Sequence, residues 1–123
     1  MKEIEQLFQK INEVDKEIEE KINLKKKLFE EIKKEFCRKV VPEIEKQLKV
    51  EVRTEVFQDT DDPTWIDLML IVQDNCTEIK SPEDKYAKED ELLNKVYALL
   101  DRLLSKEIVN RISVIPVVEE VIS

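Results

Sequence analysis

Carboxylates are the main candidates for chemistry in this sequence, and three of them lie together at Asp59, Asp61 and Asp62. Three carboxylates can bind Ca²⁺ or Mg²⁺ through their oxygens. An EF-hand loop also needs a central glycine and a terminal glutamate at fixed offsets, and this segment has neither. Aspartate and the neighbouring Pro63 are ordinary turn residues. We therefore predict a polar turn that holds no metal, and we expect no cofactor elsewhere in the chain.

A second possible catalytic set consists of Asp67 and the triplet Glu78-Ile79-Lys80. An acidic residue on one strand followed by E-x-K on the next resembles the PD-(D/E)xK nucleases. The resemblance implies that two carboxylates hold Mg²⁺, which activates water, while the lysine stabilises charge at the phosphate. In a chain with 41% charged residues, E-x-K also arises readily by chance. We expect Asp67, Glu78 and Lys80 to be non-catalytic, with a nuclease-like metal-dependent domain as the alternative.

Two residue types are missing from the 123 residues, and their absence excludes most common enzyme chemistries. Without glycine, the chain cannot build a phosphate-binding G-x-G-x-x-G loop, a P-loop or a G-x-S-x-G nucleophile turn. Without histidine, it has no Ser-His-Asp or Cys-His nucleophile and no histidine-bound metal. We therefore expect a protein that is not an enzyme.

The composition also indicates the environment of the protein. There is no run of 18 apolar residues to span a membrane, and the charged N-terminus lacks the apolar stretch of a signal peptide. Cys37 and Cys76 lie in unrelated segments and are expected to be free thiols. We therefore predict a cytoplasmic protein without membrane contact. Its high Lys and Glu content is typical of thermophiles.

Charge is unevenly distributed along a chain whose net charge is −8. Residues 1–20 carry three basic and seven acidic groups, whereas residues 21–49 carry ten and five. The basic stretch suggests a nucleic-acid accessory role as a further alternative. The residues that would carry it are Lys25, Lys26, Lys27, Lys33, Lys34, Arg38 and Lys39. An acidic protein binds nucleic acid poorly, so we expect this stretch to be a solvated helix face or to meet an acidic protein segment.

Residues 3–40 have the pattern of one long amphipathic helix. From Ile4 to Val40, ten steps between apolar-face positions span 36 residues, which is the period of a straight α-helix. The early spacing alternates three and four, as in a coiled coil, and the step from Ile18 to Ile22 interrupts it. Lys25 falls on this face, where we expect its stem to pack while its amine reaches water; the alternative is that it sets the register or partner of a helix pair. Pro42 should end the helix.

The rest of the chain predicts a small α+β body, so we divide the sequence into a helical arm, 1–40, and a body, 41–123. Alternating residues predict a strand over 48–57, and a nearly continuous apolar run predicts a central strand over 65–73. Ser81 and Pro82 should begin a helix that reaches about residue 106. A last strand over 111–118 contains Pro116, which favours an edge. The order is α-β-β-α-β in a mainly antiparallel sheet, or α-β-β-β-α-β if 76–80 also form a strand.

A looser resemblance covers residues 48–116. The residues Asp59, Asp62, Pro63 and Trp65, an apolar strand, a Leu-rich helix and the segment Ile112-Ser113-Val114-Ile115-Pro116 are similar to small archaeal α+β proteins of unknown function. The resemblance implies the α+β fold and does not imply any activity for this chain.

The arm is therefore the feature that points to function. A helix of about 54 Å is longer than a body of roughly 25 Å can cover, so its first half should project with an unpartnered apolar stripe. The stripe consists of Ile4, Leu7, Ile11, Val14, Ile18 and Ile22. We predict a non-catalytic interaction or regulatory module that forms a homodimer through this helix, or docks on a helix of another protein.

Overall fold

The computed structural model describes residues 1–75 and 77–119. The helices are α1 (Lys2–Lys39), α2 (Val41–Leu48), α3 (Pro82–Leu103) and α4 (Lys106–Val109), and the strands are β1 (Glu51–Gln58), β2 (Ile66–Asp74) and β3 (Ile112–Val118). The α+β class, the long N-terminal helix and the order α-β-β-α-β are confirmed, with two short helices added. No described helix is long and apolar enough to cross a membrane.

Helix α1 runs for 38 residues because neither glycine nor proline interrupts it. Its last turn carries an ion pair of the i,i+4 type, in which Lys39 Nζ lies 3.3 Å from a Glu35 carboxylate oxygen. Pro42 ends α1, because a proline ring inside the helix would clash with the carbonyl four residues earlier. The chain starts a new helix instead, and Pro42 lies in the first turn of α2.

The three strands form one mixed sheet in the order β1-β2-β3. β1 and β2 are antiparallel, with Thr54 opposite Leu70, whereas β2 and β3 are parallel, with Leu70 opposite Val114. The central place of β2 and the edge place of the strand with Pro116 are confirmed. The sheet is mixed where mainly antiparallel pairing was expected, because the 22-residue α3 is long enough to return the chain for a parallel pairing.

The crossover helix α3 begins where its capping residues predict. Ser81 Oγ accepts a hydrogen bond from the backbone N–H of Asp84 at 3.1 Å, and Pro82 lies in the first turn. Tyr97 then links α3 to β3, since its hydroxyl donates to the Ile112 carbonyl and accepts from the Val114 N–H, both at 3.3 Å. These contacts fix the helix over the parallel strand pair.

The hydrophobic core lies between one face of the sheet and the helices. Its buried members are Phe36, Val41, Ile44, Val50, Leu68, Leu70, Val72, Leu92, Val96, Leu99, Leu100, Val109, Ile112 and Val118. Phe36 belongs to α1, so the second half of the expected arm contributes to the core of the body. The apolar run of β2 is not covered equally on its two faces, because Met69 and Ile71, which alternate with its core residues, are only half-buried.

The segment between β2 and α3 contains no strand at residues 77–80, and Cys76 lies outside the described residues. The optional third strand before α3 is therefore not formed by Thr77–Lys80. Asp74 receives the backbone N–H of Thr77 at 3.2 Å, which turns the chain at the end of β2.

Candidate association surface

The first half of α1 extends from the body as an exposed arm. Every residue from 1 to 21 is exposed, including the predicted stripe residues Ile4, Leu7, Ile11, Val14 and Ile18. Phe8, at 61% exposure, widens the stripe and was not among the predicted residues. Ile22, the last predicted stripe residue, is half-buried. An exposed apolar strip of this length is typical of an interaction site.

The second half of α1 carries two apolar faces that the sequence pattern merged into one. Phe29, Phe36 and Val40 turn toward the body and are buried or half-buried. Leu28, one position before Phe29, and Ile32, one turn before Phe36, remain exposed. The interruption at Ile18–Ile22 is therefore the place where the apolar series shifts by one residue to reach the body.

Arg111 joins α1 to the sheet. Its guanidinium carbon lies 5.5 Å from the centre of the Phe29 ring and 5.0 Å from that of Trp65, in cation–π range of both. An Nη atom of Arg111 also donates to the Ile66 carbonyl at 2.7 Å. Near Trp65, Lys25 Nζ donates to the Thr64 carbonyl at 2.6 Å. Lys25 thus directs its amine to the body, so this contact replaces the predicted reach into water.

An apolar groove runs along the exposed side of the second half of α1. One wall of the groove is formed by residues of α1: Leu28, Ile32, Phe36 and Val40. The other wall is formed by Leu104, which precedes α4, and Ile108, which lies in α4. The groove has a volume of about 620 Å³ and is open to solvent. Its rim is charged, with Glu31, Glu35 and Lys39. The groove continues the arm's surface toward the body and was not predicted from the sequence.

The possible nuclease residues lie apart in the structure. Asp67 is near the start of β2 and is buried, where one carboxylate oxygen accepts from Trp65 Nε1 at 3.2 Å and from Ser113 Oγ at 3.4 Å. Glu78 and Lys80 follow the opposite end of β2 and are exposed. The seven residues from Asp67 to Asp74 span about 23 Å of strand, and four further residues cannot return over that length. The three side chains therefore do not form one site.

The acidic loop between β1 and β2 uses its carboxylates to close turns. Asp59 Oδ1 accepts from the backbone N–H groups of Asp61 and Asp62 at 2.8 and 3.3 Å. Asp62 Oδ1 accepts the N–H and the hydroxyl of Thr64. These are the local contacts that make aspartate a turn residue. Among the described residues, no group of three or more Cys, Asp or Glu side chains is placed to hold a metal ion.

Four of the seven basic residues considered for nucleic acid contact groups of the protein itself. Lys25 binds the Thr64 carbonyl, Lys33 pairs with Glu55 at 3.8 Å, and Arg38 donates to Glu35 at 2.8 Å with Lys39 beside it. The hydrogen bond from Arg38, and then that from Lys39, lowers the pKa of Glu35 below its ordinary value. Much of the basic charge is thus placed against acceptors on α1 and the β1–β2 hairpin.

The exposed stripe of the arm and the groove beside it form one candidate surface, which we call the α1 surface: Ile4, Leu7, Phe8, Ile11, Val14, Ile18, Leu28, Ile32 and Ile108. Its chemistry suits association with another apolar helix. Comparisons with models of protein families, with curated proteins and with solved structures found no match to this chain.

Proposed function

We propose that this protein is a non-catalytic interaction module that forms a homodimer through the α1 surface. The observation that carries the proposal is the length of the exposed apolar stripe on a helix whose first 21 residues are all exposed. A continuous helix cannot fold back to cover its own stripe, and a second copy of the chain supplies a cover.

The energetic argument rests on the size of the stripe. Each leucine- or isoleucine-sized side chain contributes about 1.5–3 kcal/mol when it is fully buried. Ile4, Leu7, Phe8, Ile11, Val14 and Ile18 are each about half exposed. A second copy is the simplest cover, because it presents the same stripe at the same concentration and closed two-fold pairs are the commonest assemblies.

A pair of matched variants tests the role of the stripe. Ile11→Asp places a charge in the middle of the stripe, whereas Gln9→Asp adds the same charge about 200° around the same helix. Both residues are exposed, so neither change affects the core. We expect Ile11→Asp to weaken the dimer by at least about 100-fold and Gln9→Asp by less than about threefold, measured by sedimentation equilibrium.

Circular dichroism on both variants checks that α1 remains helical. Equal weakening by the two substitutions would mean that added charge, and not the stripe, controls association. A full-length chain that is monomeric and binds a helix of a different protein through Ile11 would replace the homodimer by a docking function.

A further inference from the structure

We propose that the two α1 helices pair antiparallel, so that the arm of each copy lies in the groove beside the second half of the other copy's α1. This inference rests on the proposed self-association and specifies its geometry. The occupant of the groove lined by Leu28, Ile32, Leu104 and Ile108 is then the partner's stripe around Ile11.

Charge selects this arrangement over the other helix pairings. Residues 1–20 carry three basic and seven acidic groups, net −4, whereas residues 21–39 carry eight and three, net +5. A parallel pair would place the two acidic segments beside each other and the two basic segments beside each other. An antiparallel pair that overlapped only through the arms would place two segments of net charge −4 beside each other. Full antiparallel overlap places each acidic arm against a basic second half, and it does so twice.

The apolar spacing supports the same overlap. Counted from Ile4 in alternating steps of three and four, the arm residues Ile4, Leu7, Ile11, Val14 and Ile18 are followed by Lys21 and Lys25, and then by the two exposed groove residues Leu28 and Ile32. Within this heptad series Lys25 contacts the body through the Thr64 carbonyl, whereas Leu28 and Ile32 are exposed. A heptad series drifts about 20° per repeat around a straight helix, so a partner that follows it passes from the arm's stripe to the side of the groove.

A register with Ile11 opposite the partner's Leu28 fits the charge pattern and pairs the stripe with both exposed groove residues of the apolar series. Leu7 then lies opposite the partner's Ile32, Val14 opposite the partner's Lys25 and Ile18 opposite the partner's Lys21. The two-fold axis passes near residues 19 and 20. The acidic segment that contains Glu13, Asp15 and Glu17 falls beside the partner's Lys25 and Lys26. The apolar wall formed by Leu104 and Ile108 receives the wide side of the arm, where Phe8 lies beside Leu7.

Spin labels on the arm measure the arrangement directly. A nitroxide is attached at Glu3→Cys in the full chain, with Cys37 and Cys76 replaced by serine, and the label-to-label distance is measured by pulsed dipolar spectroscopy. Full antiparallel overlap separates the two Glu3 positions by about 50 Å along the helices, arm-only antiparallel overlap by about 25 Å, and a parallel pair by about 10 Å. We expect the distance near 50 Å.

The outcomes separate the geometry from the association itself. A dimer with a distance near 10 or 25 Å overturns the antiparallel groove arrangement and leaves self-association intact. A chain of monomer mass with no dipolar coupling overturns both. As a second test, Ile108→Glu should weaken the dimer about tenfold or more. The matched control Ile115→Glu, on the uncovered sheet face and of similar exposure, should change affinity by less than twofold. Equal effects would also overturn the arrangement.

Discussion

Arg111 links α1 to the sheet through contacts with both. Its guanidinium lies between the Phe29 and Trp65 rings, and Trp65 in turn donates to the buried Asp67. The contact brings together positions 29, 65 and 111, which are far apart in the chain. Asp67 therefore accepts hydrogen bonds from Trp65 and Ser113 and does not lie beside the other residues that a nuclease site would require.

We expect Arg111→Ala to lower the free energy of unfolding by about 2 kcal/mol. The change removes two cation–π contacts and a charged hydrogen bond to the Ile66 carbonyl. Urea denaturation of both variants compares it with Arg53→Ala. That control removes an exposed side chain paired with Glu55 at 3.6 Å, which should cost less than about 1 kcal/mol. Equal losses would contradict the anchoring role of Arg111.

Sequence reasoning could identify residues with local roles better than residues with distant partners. Ser81 was predicted as a helix cap from its immediate neighbours, and it caps α3. The sequence around Arg111 did not indicate its role, because its contacts with Phe29 and Trp65 depend on how α1 packs against the body. Phe8 was missed because it lies beside the 3-4 series and not on it.

At the scale of elements, a chain without glycine has to build its helix ends from other residues. Lys49 follows α2 with φ 56° and ψ 49°, the left-handed conformation that glycine usually supplies at this position. A β-carbon in this conformation costs roughly 1–2 kcal/mol. This turn is therefore a point of local strain between α2 and β1.

Lys49→Gly should raise the free energy of unfolding by about 0.5–1 kcal/mol. Glycine relieves the strain at φ 56°, and its greater freedom in the unfolded chain offsets part of the gain. Lys46→Gly, inside α2, is the matched control and should lower stability by about 1 kcal/mol. Thermal unfolding of the two variants gives the comparison. Destabilisation by both would show that the Lys49 side chain contributes more than its backbone strain costs.

The elements themselves were largely predictable, whereas their pairing was less so. Period and turn residues indicated α1, β1, β2, α3 and β3, because each pattern is local. The parallel pairing of β2 with β3 depends on where α3 packs, and the pattern of a strand does not encode its direction. The two apolar faces of α1 were merged for a similar reason, because Phe29 and Leu28 are distinguished only by the body that one of them contacts.

At the scale of the whole molecule, the protein is a small α+β body attached to a helix that is longer than the body. The body covers the side of α1 that contains Phe29 and Phe36 and leaves the arm exposed. The overall negative charge conceals two segments of opposite sign within one helix, net −4 over residues 1–20 and net +5 over residues 21–39. Length, charge and apolar spacing of α1 therefore favour the same use, which is association of two copies.

The mass of the unmodified chain in solution tests this account most directly. Sedimentation equilibrium at physiological salt, from about one to tens of micromolar, should give twice the 14.6 kDa of a single chain, with dissociation on dilution. Burial of the Ile4–Ile18 stripe is the physical reason for that expectation. A mass of 14.6 kDa across the whole range would contradict self-association through α1.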